Sequence, residues 1–205
     1  MRGLLILFCA WVMVTGISSA AFSQTDWQQR KDQDGIKVFT KKRQAVEVIS
    51  YKSITTMDVE MDRLFEFITD VGRYPEWIDG CCRTRMIHEE EDGGYRYHTV
   101  YDFPWPFRDR HMVVDVSVHE EDGDGGRVIT LESRSVDEIE VEEGRKTRIT
   151  NFWERVRLIE KDASSVEMHT EGFFDPGGNI PPWLTNVHVD DSPIRTIKNL
   201  KKVLD

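Results

Sequence analysis

The segment that most constrains the fold is residues 175–186, which read Asp-Pro-Gly-Gly-Asn-Ile-Pro-Pro-Trp-Leu-Thr-Asn. The Asp-Pro and Gly-Gly pairs are poor strand formers, so they end whatever strand precedes them. Pro181 and Pro182 stand where a helix can begin, because a proline in the first turn removes no hydrogen bond that the helix needs. The segment therefore predicts a change from strand to a terminal helix over residues 181–204.

This predicted helix carries a bulky apolar face. Trp183, Leu184 and Val187 follow its start at helical spacing. Ser192 and Pro193 then form a second capping pattern, so we expect the helix to be kinked or restarted there. Beyond them, with lysines on the outer face, one apolar stripe continues: Ile194, Ile197, Leu200 and Leu204.

Residues 1–20 have the pattern of a secretory signal peptide rather than of a fold element. Arg2 supplies a positive charge, residues 4–14 are apolar, and residues 18–20 form a small-residue cleavage site. Cleavage as late as residue 23 fits the same pattern, and an uncleaved anchor is the alternative. We therefore expect an exported protein, periplasmic or secreted, with one domain over residues 24–205.

Charge and cysteine content limit the partners. The formal net charge of −10 repels nucleic acid and anionic membrane surfaces alike. Cys81 and Cys82 are adjacent, and the sequence leaves three states open: two thiols beside a turn, a strained disulfide between neighbours, or a bridge to another chain. The last state would suit a partner-binding module that pairs by oxidation.

Acidic and glycine-rich clusters recur at regular intervals in the chain after residue 26. These clusters fall at residues 89–94, 120–126, 142–144 and 160–165, with runs rich in Val, Ile, Thr, Tyr, Phe and Trp between them. Hairpin turns favour Asp, Asn and Gly, whereas strands favour β-branched and aromatic residues. The pattern predicts a long antiparallel meander.

The other helical region is residues 58–77. Asp58 is a candidate cap, Gly72 a candidate helix end, and residues 74–77 the start of a short second helix. Apolar residues recur within the region at steps of three and four: Leu64, Phe65, Ile68 and Val71.

These elements predict an α+β fold. Residues 35–39 and 47–55 form an expected opening hairpin, followed by helices, four or more strands and the terminal helix. An antiparallel sheet with helices on one side must bury one face, and the apolar stripe of the terminal helix can cover it. A helix laid across a curved sheet need not fill the concavity, so we expect a tunnel between them.

Several fragments in this order resemble the START (StAR-related lipid-transfer) domains of the helix-grip superfamily, in their compact bacterial exported form. The fragments are Trp27, residues 34–40, residues 70–77 with Cys81 close behind, residues 104–106 with Arg108 and Asp109, Trp153, and residues 175–186. The resemblance covers nearly all of the chain after the leader. It implies a curved antiparallel sheet wrapped around a long C-terminal helix and one bound lipid, sterol or similar apolar molecule. It also implies no covalent chemistry and no cofactor.

Within this superfamily, similar cavities also serve cyclases and aromatases, and the fold alone does not separate binding from catalysis. An enzyme of that kind would use an inward acid such as Glu154 together with a histidine. The six histidines show no metal-binding spacing, and no Gly-x-Ser-x-Gly elbow is present. We therefore expect a monomeric binding protein without metal, with transient contact to a membrane.

The predicted cavity wall begins with the aromatic residues around position 105. Phe103, Trp105 and Phe107 alternate, so they share one face if the segment is extended. They are either a core edge or the lining of the cavity mouth. Arg108 and Asp109 either form a structural ion pair or orient the adjoining loop, or Arg108 is buried and meets a ligand headgroup or hydroxyl.

The late strand around Glu154 supplies the other candidates. Phe152, Glu154, Val156 and Leu158 alternate onto one apolar face, which we expect to point inward. A buried lone carboxylate is costly, so Glu154 should pair with Arg134 or a ligand hydroxyl, unless it lies at a wet strand end. From the terminal helix, the expected lining adds Trp183, Leu184, Val187 and Ile194.

Overall fold

A computed structural model describes residues 27–42, 49–123, 126–178, 180–181, 186 and 189–205. The expected signal peptide, with its cleavage site between residues 20 and 23, lies outside these described residues. So do Trp183, Leu184 and Val187. No helix within the described ranges combines the length and the apolar character needed to cross a bilayer.

The described strands form one sheet of ten strands. Its order is β1-β2-β3-β10-β9-β7-β6-β5-β4, and these neighbours pair antiparallel, while the short β8 pairs with β6 in parallel. The strands are β1 (Gln28–Gln33), β2 (Ile36–Lys42), β3 (Ile49–Met57), β4 (Cys81–Glu89), β5 (Tyr95–Tyr101), β6 (Arg110–Gly123), β7 (Gly126–Val136), β8 (Thr147–Arg148), β9 (Asn151–Asp162) and β10 (Ser165–Asp175).

Three of the predicted hairpin tips, at residues 89–94, 120–126 and 160–165, join strands that pair with each other. The expectation for residues 142–144 is wrong, because they lead into β8, which pairs with β6 in parallel. The loop after β4 closes through Glu90 and Gly94, whose backbone groups bond at 2.7 Å, and β9 turns into β10 around Asp162. Asp162 Oδ1 accepts a hydrogen bond of 2.9 Å from the Ser164 amide, which explains why an acid stands at this tip.

The helices whose bounds lie within the described residues are α1 (Met61–Thr69), α2 (Tyr74–Trp77) and α3 (Ser192–Leu204), with a 3-10 turn at Val71–Arg73 between α1 and α2. The short helix predicted at residues 74–77 is confirmed. The expectation that Asp58 caps α1 is wrong, since the N-cap is Glu60 and no side chain caps it. Gly72 does not end α1 either, because Thr69 is its last residue and Gly72 belongs to the 3-10 turn.

α3 begins at Ser192 with Pro193 in its first turn, as the sequence predicts. Its apolar stripe is buried: Ile194, Ile197, Leu200 and Leu204. It contacts α2 and β2 and joins the same hydrophobic core as the sheet. The predicted α+β helix-grip fold, a mostly antiparallel sheet with a C-terminal helix, is confirmed. We call the sheet face that packs against the helices the inner face.

Cys81 and Cys82 are both free thiols in this structure. Cys81 is buried and Cys82 is exposed. A register shift between Cys81 and Arg83 leaves Cys82 unpaired in the β4–β5 ladder. The neighbouring side chains therefore occupy different environments, as expected of two thiols at the start of a strand and not of a neighbour disulfide.

Candidate functional site

The register of the sheet aligns one row of residues across four strands on the inner face. Tyr51 of β3 pairs with Gly172 of β10. Gly172 in turn pairs with Glu154 of β9, and Glu154 pairs with Ser133 of β7. Two of the four positions carry a small side chain or none, so this row fills less volume than a row of large apolar residues.

A cavity of about 410 Å³ lies between this row and the helices. Side chains of β3, β5, β7, β9 and β10 form one side of it, and α1, α2, the first turns of α3 and the loop 102–107 form the rest. Aromatic side chains make up much of the wall: Tyr51, Tyr74, Trp77, Tyr95, Tyr97, Tyr101, Phe103, Phe107, Phe152 and Phe174.

Tyr51 and Glu154 form the polar centre of the cavity. The Tyr51 hydroxyl donates a hydrogen bond to Glu154 Oε1, although β10 lies between their strands. The β10 residue at this level is Gly172, where an added Cβ would lie 2.5 Å from the Trp153 carbonyl oxygen and 3.1 Å from Glu154 Cα. A larger residue there would collide with the backbone that carries Glu154, so glycine is required.

Burial raises the pKa of Glu154, and the hydrogen bond from Tyr51 opposes that rise. Burial, followed by the charge of Glu154, also raises the pKa of Tyr51 well above its usual value. The predicted pairing of Glu154 with Arg134 is wrong. Arg134 stands opposite Trp153 in the register, on the outer face, where its side chain is 67% exposed and lies 3.5 Å from Glu132.

Further polar atoms face or adjoin the cavity. The hydroxyls of Tyr74 and Tyr95 bond at 3.0 Å, and burial raises the pKa of Tyr95 to about 12. Ser53 Oγ and Trp77 Nε1 are buried and have no hydrogen-bond partner among the described residues. At the cavity edge, Arg195 donates two hydrogen bonds of 2.8 Å to the carboxylate of Asp79.

Comparison with known proteins identifies the family. The START domain family model matches residues 14–205. The chain belongs to the START domain family. The resemblance predicted from the sequence is therefore confirmed across most of its length.

Two bacterial relatives of this START domain span nearly the same length. An uncharacterized protein of Pseudomonas aeruginosa is 28% identical over 100% of this chain and 99% of its own. The crystal structure of a STAR-related lipid transfer protein from Xanthomonas axonopodis has a TM-score of 0.77 at 24% identity, covering 87% of this chain and 98% of that one. Human STARD10 has a TM-score of 0.77 at 15% identity, with 89% and 74% covered. These structural likenesses support the fold.

The START domain places Phe103 and Phe107 in the cavity wall but Trp105 outside it. Trp105 is 92% exposed. The expectation that the three share one face is wrong, because residues 104–107 are a turn and not an extended segment. The Phe107 amide donates to the Pro104 carbonyl at 3.0 Å, and the Trp105–Pro106 peptide is cis.

Arg108 is exposed and does not line the cavity, and no ion pair joins it to Asp109 within the described chain. Asp109 instead accepts a hydrogen bond of 3.3 Å from the Phe103 amide. The buried arginine is Arg110, which sequence reasoning missed. Its guanidinium lies 4.6 Å from the Phe103 ring centroid and donates to the Pro176 carbonyl at 3.1 Å. Arg110 thus connects the loop that carries Phe103 with the segment leading to α3.

The remaining predicted site residues separate into three groups. Glu154 lines the cavity. Ile194 is buried in the hydrophobic core and does not line the cavity, whereas Ile197, one turn later, does. Trp183, Leu184 and Val187 cannot be placed, since they lie outside the described residues.

Sequence reasoning also missed the tyrosines. Tyr95, Tyr97 and Tyr101 sit at odd positions of β5 and share its inner face. The period of two in this strand was a usable signal. Tyr51 carried no such signal, because its role depends on Glu154 about a hundred positions later.

No described histidine lines the cavity. His98 and His111 are buried elsewhere, with His98 Nε2 and His111 Nδ1 3.3 Å apart and His98 Nδ1 3.8 Å from Glu143 Oε1. Across the part of the chain that the structure describes, no group of three His, Cys, Asp or Glu side chains is arranged to hold a metal ion.

Proposed function

We propose that this START domain binds one lipid, sterol or similar apolar molecule in the cavity, without covalent chemistry, as a carrier or a sensor. The observation that carries the proposal is the aromatic-lined cavity of about 410 Å³ beneath α3. Small-molecule sites in proteins are mostly apolar concavities of about 300–1,000 Å³ with a few placed polar groups. Tyr51 and Glu154 are such groups.

The energetics support an apolar occupant. Burying one methylene group contributes about 0.8 kcal/mol, so a chain of about ten carbons contributes on the order of 8 kcal/mol. Lost freedom on association offsets part of this. The remainder is enough for specific binding when the cavity is already formed, as the packed strands and α3 indicate here.

The names of the structural relatives agree with this proposal. The Xanthomonas axonopodis protein is called a STAR-related lipid transfer protein, and another relative is human StAR-related lipid transfer protein 5, with a TM-score of 0.75 at 14% identity over 89% of this chain and 88% of that one. These names support a lipid as the class of ligand. The chemistry of the ligand has to be inferred from the residues of this chain.

We also propose that Trp105 makes the transient membrane contact. It is 92% exposed on the loop that places Phe103 and Phe107 in the cavity wall. Tryptophan favours the interface between water and lipid. The net charge of −10 opposes adsorption to anionic surfaces, so the contact is expected on zwitterionic bilayers and is brief.

Export, the domain span of residues 24–205 and the monomeric state belong to the same proposal. The apolar run of residues 4–14 behind Arg2 supports export. N-terminal sequencing of the protein recovered outside the cytoplasm should begin between Ala21 and Gln24. Recovery of Met1 would contradict it, and light scattering of the purified protein tests the monomer.

A cyclase or aromatase of the kind expected from the sequence would need a histidine converging on Glu154. Tyr51 already donates to it, and no described histidine shares the cavity. The binding function therefore needs fewer assumptions. Native mass spectrometry tests it directly: the exported protein should carry an extra mass that solvent extraction removes and returns unchanged. A protein that never carries or takes up an apolar molecule would overturn the proposal.

A further inference from the structure

We propose that the cavity selects ligands whose polar head donates hydrogen bonds and carries no negative charge, such as an alcohol or an amine, and that Glu154 enforces this selection. The inference rests on the proposed binding function and names the class of ligand within it. Two observations support it. The first is the charge of the side chains that line the cavity, and the second is the presence of lining atoms that can still accept a hydrogen bond.

The cavity wall is acidic. Among the described lining residues the charged side chains are Asp79, Asp102, Glu154 and Arg195. The single cation, Arg195, is held by both carboxylate oxygens of Asp79 at 2.8 Å. A carboxylate or phosphate head would therefore meet no free cation in this wall.

The buried arginine near the cavity does not alter this balance. Arg110 is absent from the wall, and its guanidinium donates to the backbone carbonyls of Arg108, Pro176 and Gly177. Its face is taken by the Phe103 ring at 4.6 Å. Its donors thus hold the chain together and are not directed at a ligand.

The inner polar centre, by contrast, has acceptor capacity to spare. Tyr51 is the one hydrogen-bond partner of Glu154 within the described residues, and it bonds to Oε1. A carboxylate has about four acceptor positions on its two oxygens, so most remain open. Ser53 Oγ, on the same strand as Tyr51, is buried without a partner and also lines the cavity.

A hydroxyl or ammonium head satisfies Glu154, because it brings a donor to the carboxylate positions that no described residue fills. An anionic head does the opposite. Two carboxylates that share a buried site disfavour each other's charge, so one must take up a proton or the ligand must leave. The same carboxyl thus favours one class of head and rejects the other.

The experiment uses three molecules of equal chain length: decanol, decylamine and decanoate. Each displaces Nile red, a neutral apolar dye, from the mature protein at about pH 8, where a free carboxylic acid is ionised. We expect decanol and decylamine to bind at least about tenfold more tightly than decanoate, a difference of about 1.4 kcal/mol. Equal affinity for decanoate and decanol would overturn the inference.

Glu154→Gln assigns the selection to this side chain, since it removes the charge and keeps the shape. The affinity of this variant for decanoate should rise about tenfold and reach its affinity for decanol. The matched control is Glu171→Gln, because Glu171 lies on β10 beside Gly172 and points to the outer face, opposite Lys52 and Arg155. The control should keep the wild-type difference in affinity between decanol and decanoate. A difference that persists in Glu154→Gln would contradict the role of Glu154.

Two further results distinguish a failure of this inference from a failure of the proposed binding function. If Nile red and all three molecules fail to bind the wild-type protein, the proposed binding function fails. If they bind with no preference, only the inference fails. Should Glu154→Gln not fold, as shown by circular dichroism, Ser53→Val replaces it: loss of a second polar partner should weaken decanol binding about threefold or more and leave decanoate unchanged. Equal weakening of both would overturn the inference.

Discussion

The two ends of the inner face differ in how completely they are filled. At one end, Met168, Leu158 and Ile129 form a row across β10, β9 and β7. All three are buried at 5% exposure or less, and of the three Met168 alone also lines the cavity. At the other end, the corresponding row contains Gly172, Glu154 and Ser133 and faces the cavity. The same three strands build both ends.

This difference shows how part of a core opens into the cavity that we propose as the ligand site. Protein interiors are normally packed as densely as organic crystals, so a void needs a local cause. Here the cause is a row that replaces large apolar side chains with glycine, serine and a carboxyl group. The filled end holds the fold together, and the open end gives up some stability for a place to hold a ligand.

The His98 cluster gives a third case, because His98 is buried and polar and lines a second pocket, outside the cavity that contains Tyr51 and Glu154. His98 has partners in its own chain, His111 and Glu143, and Glu143 also lies 3.2 Å from Lys146. Glu154 has Tyr51 alone among the described residues. A buried polar group whose partners are already in place is structural, whereas one with unfilled hydrogen-bond positions remains available to a ligand.

The largest expected effect is a difference in lost stability between substitutions at the two ends of the inner face. Leu158→Ala deletes a side chain with 0% exposure, and should lower the free energy of unfolding by about 3 kcal/mol. Val156→Ala, two residues along and half-buried at the cavity, should cost about 1 kcal/mol because its space is already partly open. Urea unfolding measures both, and equal losses would break the comparison.

The next effect concerns pH. Burial lowers the pKa of His98 to about 4 and also lowers that of His111. Since the pKa of His98 is lower in the folded state than in the unfolded chain, its contribution to stability is complete above about pH 6.5 and is lost as the pH falls towards 4. The expected loss is about 2–3 kcal/mol.

Unfolding measured from pH 7 to 4 tests this. His98→Gln should flatten the curve, and His119→Gln, at an exposed position of β6, should leave it unchanged. Parallel curves for the wild type and His98→Gln would show that the cluster does not set the acid sensitivity.

A smaller effect, of opposite sign, is expected at the open end. Replacing Tyr51 with Phe and Glu154 with Leu together removes both partners of a buried hydrogen bond, which should raise the free energy of unfolding by about 1 kcal/mol at neutral pH. Because burial raises the pKa of Glu154, its carboxyl costs stability as the pH rises through that value, and the double variant should lose this trend. A destabilised double variant would mean that this row supports the fold.

The smallest effect on stability is expected at Trp105. Trp105→Ala should change the free energy of unfolding by less than about 0.5 kcal/mol, because the side chain is 92% exposed. It should nevertheless reduce sedimentation of the protein with phosphatidylcholine vesicles several-fold. Ile87→Ala, another exposed apolar position, is the control and should leave sedimentation unchanged. Unaltered sedimentation of Trp105→Ala would remove the membrane contact from the proposal.

Local patterns were enough to predict much of the fold. The hairpin tips at residues 89–94, 120–126 and 160–165, the short helix at residues 74–77 and the helix start at Ser192 and Pro193 all depend on neighbouring residues. The inward face of β9, with Glu154 in it, followed from a period of two. The strand β1 was missed because Gln28–Gln33 are all polar and its place at the sheet edge depends on backbone pairing with β2.

The site was harder to predict because its contacts join distant residues. The partner of Glu154 depends on register: with Ser133 opposite Glu154, Arg134 must point outward. The turn at 104–107 reversed the expected direction of Trp105, and nothing in the alternating aromatics announced it. The role of Arg110 could not be predicted from neighbouring residues, because it donates to the carbonyls of Pro176 and Gly177, which follow β10.

The open end of the inner face is the proposed ligand site, so a side chain that fills it should weaken binding. Ser133→Trp should fill the cavity from β7, while Thr130→Trp adds the same side chain to the outer face of the same strand. Nile red titration of the two variants is the most direct measurement. We expect Ser133→Trp to bind at least about tenfold more weakly than the wild type while it still unfolds cooperatively, and Thr130→Trp to bind normally. Normal binding by a folded Ser133→Trp would contradict the claim.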